Sequence, residues 1–240
     1  MTSTSAATSA IDPRPRPVID WFLWLAVVAV IAVYIRAIYY TPLEAIQGPS
    51  QKIFYLHVPA AIAGYLAFGI LALMSVVHLW LRDERADKLA AAAAEVAVLF
   101  FTVVLIAGSI WAKVIWGAWW VWELRLTLSL LLWFLGVGYL IMRGAIEDPA
   151  MRARFCAVLG ILQALLIPFV HLSVYLVPDH MHPMPVVLKP SAPSLSPEML
   201  VTFVSSTLVF VVLCVAFIRS RYRYTLLLDA AEAAEFGGPR

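Results

Sequence analysis

Charge is scarce in this chain. Asp, Glu, Lys and Arg make up only 13% of its 240 residues, against 63% hydrophobic residues, and the mean hydropathy is +0.89. That balance excludes an ordinary soluble domain and puts the chain in a membrane. A net charge of +2 spread over the whole length supplies no basic stripe, which argues against nucleic acid as a partner. Cysteine is nearly absent: Cys156 and Cys214 stand alone in apolar runs without CxxC spacing, so they read as small core residues and a thiol-exchange membrane protein is disfavoured. A glycine-rich phosphate loop is missing too, and no cytoplasmic segment is long enough to fold as an ATPase, so any use of ATP belongs to a partner. Internal repeats are not seen, and residues 54–81 and 126–142 contain no formal charge. A solute permease would need broken helices, repeats or charges within spans.

What is abundant is apolar sequence in lengths that cross about 30 Å of hydrocarbon. A run of about 20 residues begins at Trp21, followed by Phe54 to Leu81, Leu89 to Ala112, Leu126 to Met142, Phe155 to Val177 and Met199 to Ile218. The expected fold is therefore all-α, an integral membrane protein with six transmembrane helices. Residues 1–19, rich in Ser, Thr, Ala and Pro, read as a disordered cytoplasmic leader rather than a cleaved signal. Residues 20–220 form the membrane domain and 221–240 a cytoplasmic tail. Of the 17 basic residues, 12 gather on one side: Arg14, Arg16, Arg82, Arg85, Lys88, Arg143, Arg152, Arg154, Arg219, Arg221, Arg223 and Arg240. Basic residues near span ends tend to stay inside, so both termini are expected in the cytoplasm. The loops 113–125 and 178–198, together with residues 41–53, then face outward. Alanine and glycine runs at 91–97 and 136–140 offer small residues that let helices approach closely, within the chain or from a partner.

Five of the nine tryptophans fall between Trp111 and Trp122, four of them in "WGAWWVWELR" at 116–125. An aromatic belt at the headgroup level accounts for one or two of these. Were the stretch helical, Trp116, Trp119, Trp120 and Glu123 would share one face, a platform of flat rings suited to a large planar ligand, with Glu123 and Arg125 as its polar markers.

The histidines divide by position. His78 lies near the inner end of the second span and reads as interfacial; His171, within the fifth span, reads as a core histidine bonded to a neighbouring helix. His57 precedes Arg82 by 25 residues, which at 1.5 Å each places it about 37 Å away, at the outer face. Pro59 fits a first turn or a kink there. His180 and His182 sit in an outer segment, 178–197, that carries six prolines and is held stiffly by them. His57, the tryptophans and His182 or His180 thus converge on one membrane face from different spans. Two imidazoles and an aromatic shelf are the parts needed to hold a haem.

These residues resemble a known family, the haem-handling protein C of cytochrome c maturation (CcmC). Its tryptophan-rich WWD motif, WGxxWxWDxRLT, appears here as "WGAWWVWELRLT" at 116–127, supported by "KIFYLHVPAA" at 52–61 and "HLSVYLVPDHMHPMP" at 171–185. Trp116, Gly117, Trp119, Trp120, Trp122 and Arg125 match the motif, and Glu123 stands where the family has Asp. His57 matches the first haem histidine and Met181-His182-Pro183 best fits the second, with His180 the alternative. The resemblance implies an inner-membrane cofactor-binding subunit, not an enzyme. It would take haem b with its iron between His57 and His182, and present it on the outer face to a haem chaperone of the CcmE type, assisting covalent attachment there. The implied partners are transporter subunits of the CcmA and CcmB type and a small CcmD-type subunit. Arg125 would pair with a haem propionate. The competing reading is an electron-transferring cytochrome b, which would favour paired histidines buried mid-span, or else a haem or solute permease subunit.

Overall fold

A computed structural model of the chain describes residues 20–177, 181–182 and 195–236. The expected leader 1–19, His180 and most of the 178–198 loop lie outside the described residues. Six helices account for nearly everything else. Helix α1 spans Trp21–Ile35 and runs into a π-helical turn, Arg36–Tyr40. A 3-10 turn, Pro49–Ile53, then leads into α2, Phe54–Leu81, followed by α3, Glu84–Trp116, and α4, Leu124–Ala145. The last two are α5, Pro149–Leu176, and α6, Pro197–Phe236. All six, α1 together with its π-helical turn, are long and apolar enough to cross a membrane.

Local sequence sets the boundaries. Asp83 caps α3 by accepting the Arg85 amide at 2.8 Å, and Glu84 and Asp87 lie in its first turn, where the helix dipole favours acids. Asp148 caps α5 through the Met151 amide at 2.6 Å, with Pro149 opening the helix. Capped polar turns therefore extend α3 and α5 beyond their apolar runs, which is why they start earlier than hydropathy alone suggests. Helix α6 continues unbroken past Ile218 to Phe236. Its 40 residues span about 60 Å, twice the hydrocarbon thickness, because residues 219–236 contain neither Pro nor Gly and are rich in helix formers.

Helices α2, α3, α4 and α5 pack in a ring, each against its two neighbours; α6 covers α2 and α3, and α1 lies on α6. The ring closes over Phe68, Leu71, Phe101, Leu132 and Tyr139, all fully buried. Small residues bring α2 and α3 close: Ala60, Ala63 and Ala67 are buried beside Ala93, Ala94 and Ala97, and a Cβ on Gly64 would come within 2.6 Å of the Phe101 ring. The alanine run at 91–97 is thus used inside this chain. Cys156 and Cys214 are buried free thiols, as expected of small core residues. His78 Nδ1 donates a hydrogen bond to the Asp83 carbonyl at 2.9 Å across the α2–α3 turn. At the basic end of the bundle, Arg143 grips Asp87 at 2.8 and 2.6 Å, Lys88 meets Asp229 at 2.7 Å, Arg219 meets Asp20 at 3.0 Å, and Arg221 pairs with Glu95.

Candidate haem site

The opposite end of the ring carries the tryptophan segment, and it is not a helix. Gly117 adopts φ +74°, a left-handed conformation that suits glycine and stops α3, while Lys113 donates to its carbonyl at 2.8 Å. Residues 117–123 then cross to α4 without regular structure. The expected helical platform is therefore corrected: Trp116, Trp119, Trp120 and Glu123 do not share a helix face. Trp116 ends α3 with its ring 5.9 Å from that of His182. Trp119, Trp120 and Trp122 instead line a slot of about 700 Å³ between α3 and α4, with Leu105, Ile106 and Ile110 as its walls. Trp119 and Trp122 are 60% and 78% exposed, and Trp120 packs edge-on to Trp122 at 5.9 Å.

His57 lies in the first turn of α2, directly above α3. Its ring packs edge-on to Trp111 at 5.9 Å and over Gly108, where a Cβ would meet its Cε1 at 2.9 Å. Trp111 is fixed in turn by donating to Gln47 at 3.1 Å. His57 Nδ1 is buried and makes no hydrogen bond within 3.5 Å among the described residues, and the ring stands close to the Val104 backbone of α3. Pro59, two residues on, is itself fully buried.

His182 reaches the same end from the segment after α5. Its Nδ1 lies 3.1 Å from Glu123 Oε1, and Glu123 Oε2 accepts the Met181 amide at 3.1 Å. Burial pushes the Glu123 carboxyl up, but the hydrogen bonds from His182 and from the Met181 amide outweigh it and hold the carboxyl below its ordinary value. His57 lies within electrostatic reach of both His182 and Arg125. Arg125, in the first turn of α4, is also within electrostatic reach of Tyr65 and His171, and it lines a cavity of about 310 Å³ with Glu123, Ser173, Val177 and Met181.

His171 departs from its expected role as a bonded core residue. It is exposed, and its ring meets Tyr65 of α2 edge-on at 4.9 Å. Gly108 and Trp111, which seat His57, were not singled out from sequence; they lie at i and i+3 on α3, a visible pairing whose partner across the helix interface is not encoded locally.

The donor set fits a haem. Two imidazoles, an arginine and exposed indoles are groups that would supply nitrogen ligands, a partner for a propionate and apolar walls.

The family model described as CcmC, heme exporter protein C, matches residues 2–236. Heme exporter protein C of Escherichia coli (strain K12) is 35% identical over 169 residues, covering 69% of each chain. The Haemophilus influenzae protein of that name is 33% identical over 193 residues, covering 80% of this chain and 78% of its own. That of Paracoccus denitrificans is 41% identical over 122 residues, about half of each. With six spans and this breadth of similarity, the chain is a multi-pass protein of the inner membrane, and it belongs to the CcmC (heme exporter protein C) family.

Proposed function

We propose that this chain holds haem b at the tryptophan end of its bundle, with the iron between His57 and His182, and presents it to a chaperone of the CcmE type. Family membership carries haem handling in cytochrome c maturation, by a subunit that is not an enzyme. Haem supplies the iron and the vinyl groups; this chain's residues bind and orient it. His57 and His182 are the two nitrogen ligands, Arg125 pairs with a propionate, and Trp116 confines the His182 side. Gly117 turns the chain so that Trp119, Trp120 and Trp122 form an apolar wall on the α3–α4 side. Twelve of 17 basic residues belong to the other side of the membrane, which supports a periplasmic site and cytoplasmic termini. Subunits of the CcmA, CcmB and CcmD type are the proposed companions.

The observation that supports this reading is that His57 and His182, from distant segments, lie within electrostatic reach of each other, with His182 gripped by a carboxylate. A transfer assay tests it. Purified, haem-loaded protein is mixed with a purified CcmE-type chaperone. The wild type should hand haem over, whereas His57→Ala and His182→Ala should not; equal transfer from all three removes the reading. The cytochrome b alternative gains nothing from His171, whose ring contact is Tyr65.

A further inference from the structure

We infer that residues 13–19 lie along the extension of α6 as a strap, continuing the line of α1 and covering an apolar stripe made by Leu226, Leu227 and Ala230. Residues 219–236 carry α6 beyond its apolar run, and α3 takes one side of this extension through Arg221–Glu95 and Lys88–Asp229. The other side is bare. At about 100° per residue, Arg219, Arg223, Leu226, Leu227 and Ala230 share a face roughly 100° wide, while Arg221, Thr225 and Asp229 turn toward α3. Leu226 and Leu227 are 39% and 43% exposed, and Ala230 is exposed beside them. Leucines left this open on a helix that has passed the hydrocarbon call for a cover.

The chain itself delivers one. Helices α1 and α6 are antiparallel: Arg36, past the far end of α1, donates through Nε to Thr202 at 3.2 Å, whereas Asp20, at its start, meets Arg219 at 3.0 Å and Arg223 at 3.8 Å. The Arg219 guanidinium also lies 5.5 Å over the Phe22 ring. Arg219 and Arg223 begin the bare face, so the start of α1 is pinned at the head of the stripe. Residues before Asp20 therefore enter from the direction in which α6 extends. Length and composition fit this path. Pro13, Pro15 and Pro17 alternate with Arg14 and Arg16 and are followed by Val18 and Ile19. Proline fixes φ and favours an extended course of about 3.1 Å per residue, with little freedom left to lose on docking. Arg16, four residues before Asp20, thereby falls about 12 Å along, level with Ala230, which stands about 10 Å beyond Arg223 on the helix. Pro17 and Val18 then lie beside the two leucines. Arg14 comes level with the last turns of α6, where Glu232 and Glu235 have no ion-pair partner among the described residues. Composition gives residues 1–19 no core of their own, and the stripe supplies the apolar surface they lack.

Disulfide cross-linking of the full chain in its native membrane tests this. Cys156 and Cys214 are buried and stay unreactive. Under mild oxidation the double variant Arg16→Cys/Ala230→Cys should form an intramolecular disulfide, and Arg16→Cys/Leu228→Cys, at a similar depth on the opposite side of α6, should not. Equal cross-linking in both pairs, or in neither, would overturn the strap; a disulfide between two chains would give the stripe to a second copy and overturn it too. Maleimide labelling of Ala230→Cys alone supplies a second reading. Adding Pro15→Asp, Pro17→Asp and Val18→Asp together should release the segment and speed labelling about tenfold, the ratio expected from re-exposing the open parts of two leucines. An unchanged rate contradicts the proposal. Neither measurement involves haem, so the strap stands or falls apart from the ligand assignment of His57 and His182.

Discussion

Gly108 offers the sharpest way to move a proposed iron ligand without touching it. A methyl group there would lie 2.9 Å from His57 Cε1 and 3.4 Å from Nδ1, whereas carbon atoms settle about 3.5–4.0 Å apart. In Gly108→Ala the imidazole must withdraw by roughly 0.5–1 Å, a displacement of the kind that costs about 1–3 kcal/mol in a packed site. Alanine is also the better helix former, by about 1 kcal/mol. The two effects on folding nearly cancel, so thermal melting should stay close to the wild type. Haem binding has no such compensation, and 1–3 kcal/mol corresponds to an affinity loss of roughly 5- to 150-fold. Soret absorbance during haemin titration of the purified protein measures it. Gly138→Ala on α4 is the control, because a Cβ there meets nothing within 4 Å, and it should titrate like the wild type. A Gly108→Ala protein that binds haem with wild-type affinity would refute the placement of His57 at the ligand.

Two further outcomes concern the basic end. Arg143→Met alone should lower the melting temperature, because it strands Asp87, whose side chain is only 14% exposed, and removing one partner of a buried pair costs about 3–5 kcal/mol; adding Asp87→Leu should restore most of the loss, and an unrestored double variant would show that the charges themselves are required. Asp20, which caps α1 through the Leu23 amide, is pushed up by burial but held below its ordinary value of 3.8 by that amide and by Arg219 and Arg223. A carboxyl depressed in the folded state contributes stability above its unfolded value and loses it as pH falls through the folded one. Protection of the Leu23 amide, measured against the unstructured exchange rate at each pH, should therefore fall only as the pH drops below 3.8, and protection independent of acid there would contradict the ties of Asp20 to α6.

Six spans were legible in the sequence because length and apolar content are what a bilayer demands. The bounds of α2, Phe54–Leu81, coincide with its apolar run, since Arg82 ends both with φ +54°. For α3 they do not: Asp83 and the charged turn behind it are helical without being apolar. At the site, residue identities could be read but their arrangement could not. The glycine of Trp116-Gly117 was the one local sign that the tryptophans leave the helix, and its positive φ sends three of them to the α3–α4 side while Trp116 faces His182. Glu123 and His182 are 59 residues apart, and no periodicity within either segment encodes their contact. The seat of His57 on Gly108 likewise depends on how closely α2 and α3 approach, a property of the packed bundle rather than of either helix alone.

Ligation of one iron by His57 and His182 is tested most directly by the spin state of bound haem. Electron paramagnetic resonance and visible spectra of the purified, haem-loaded wild type should report a six-coordinate, low-spin iron with two imidazole ligands. His57→Ala and His182→Ala should each convert it to a high-spin form, reversed by added imidazole. Retention of the low-spin, two-imidazole spectrum in both variants would contradict the assignment.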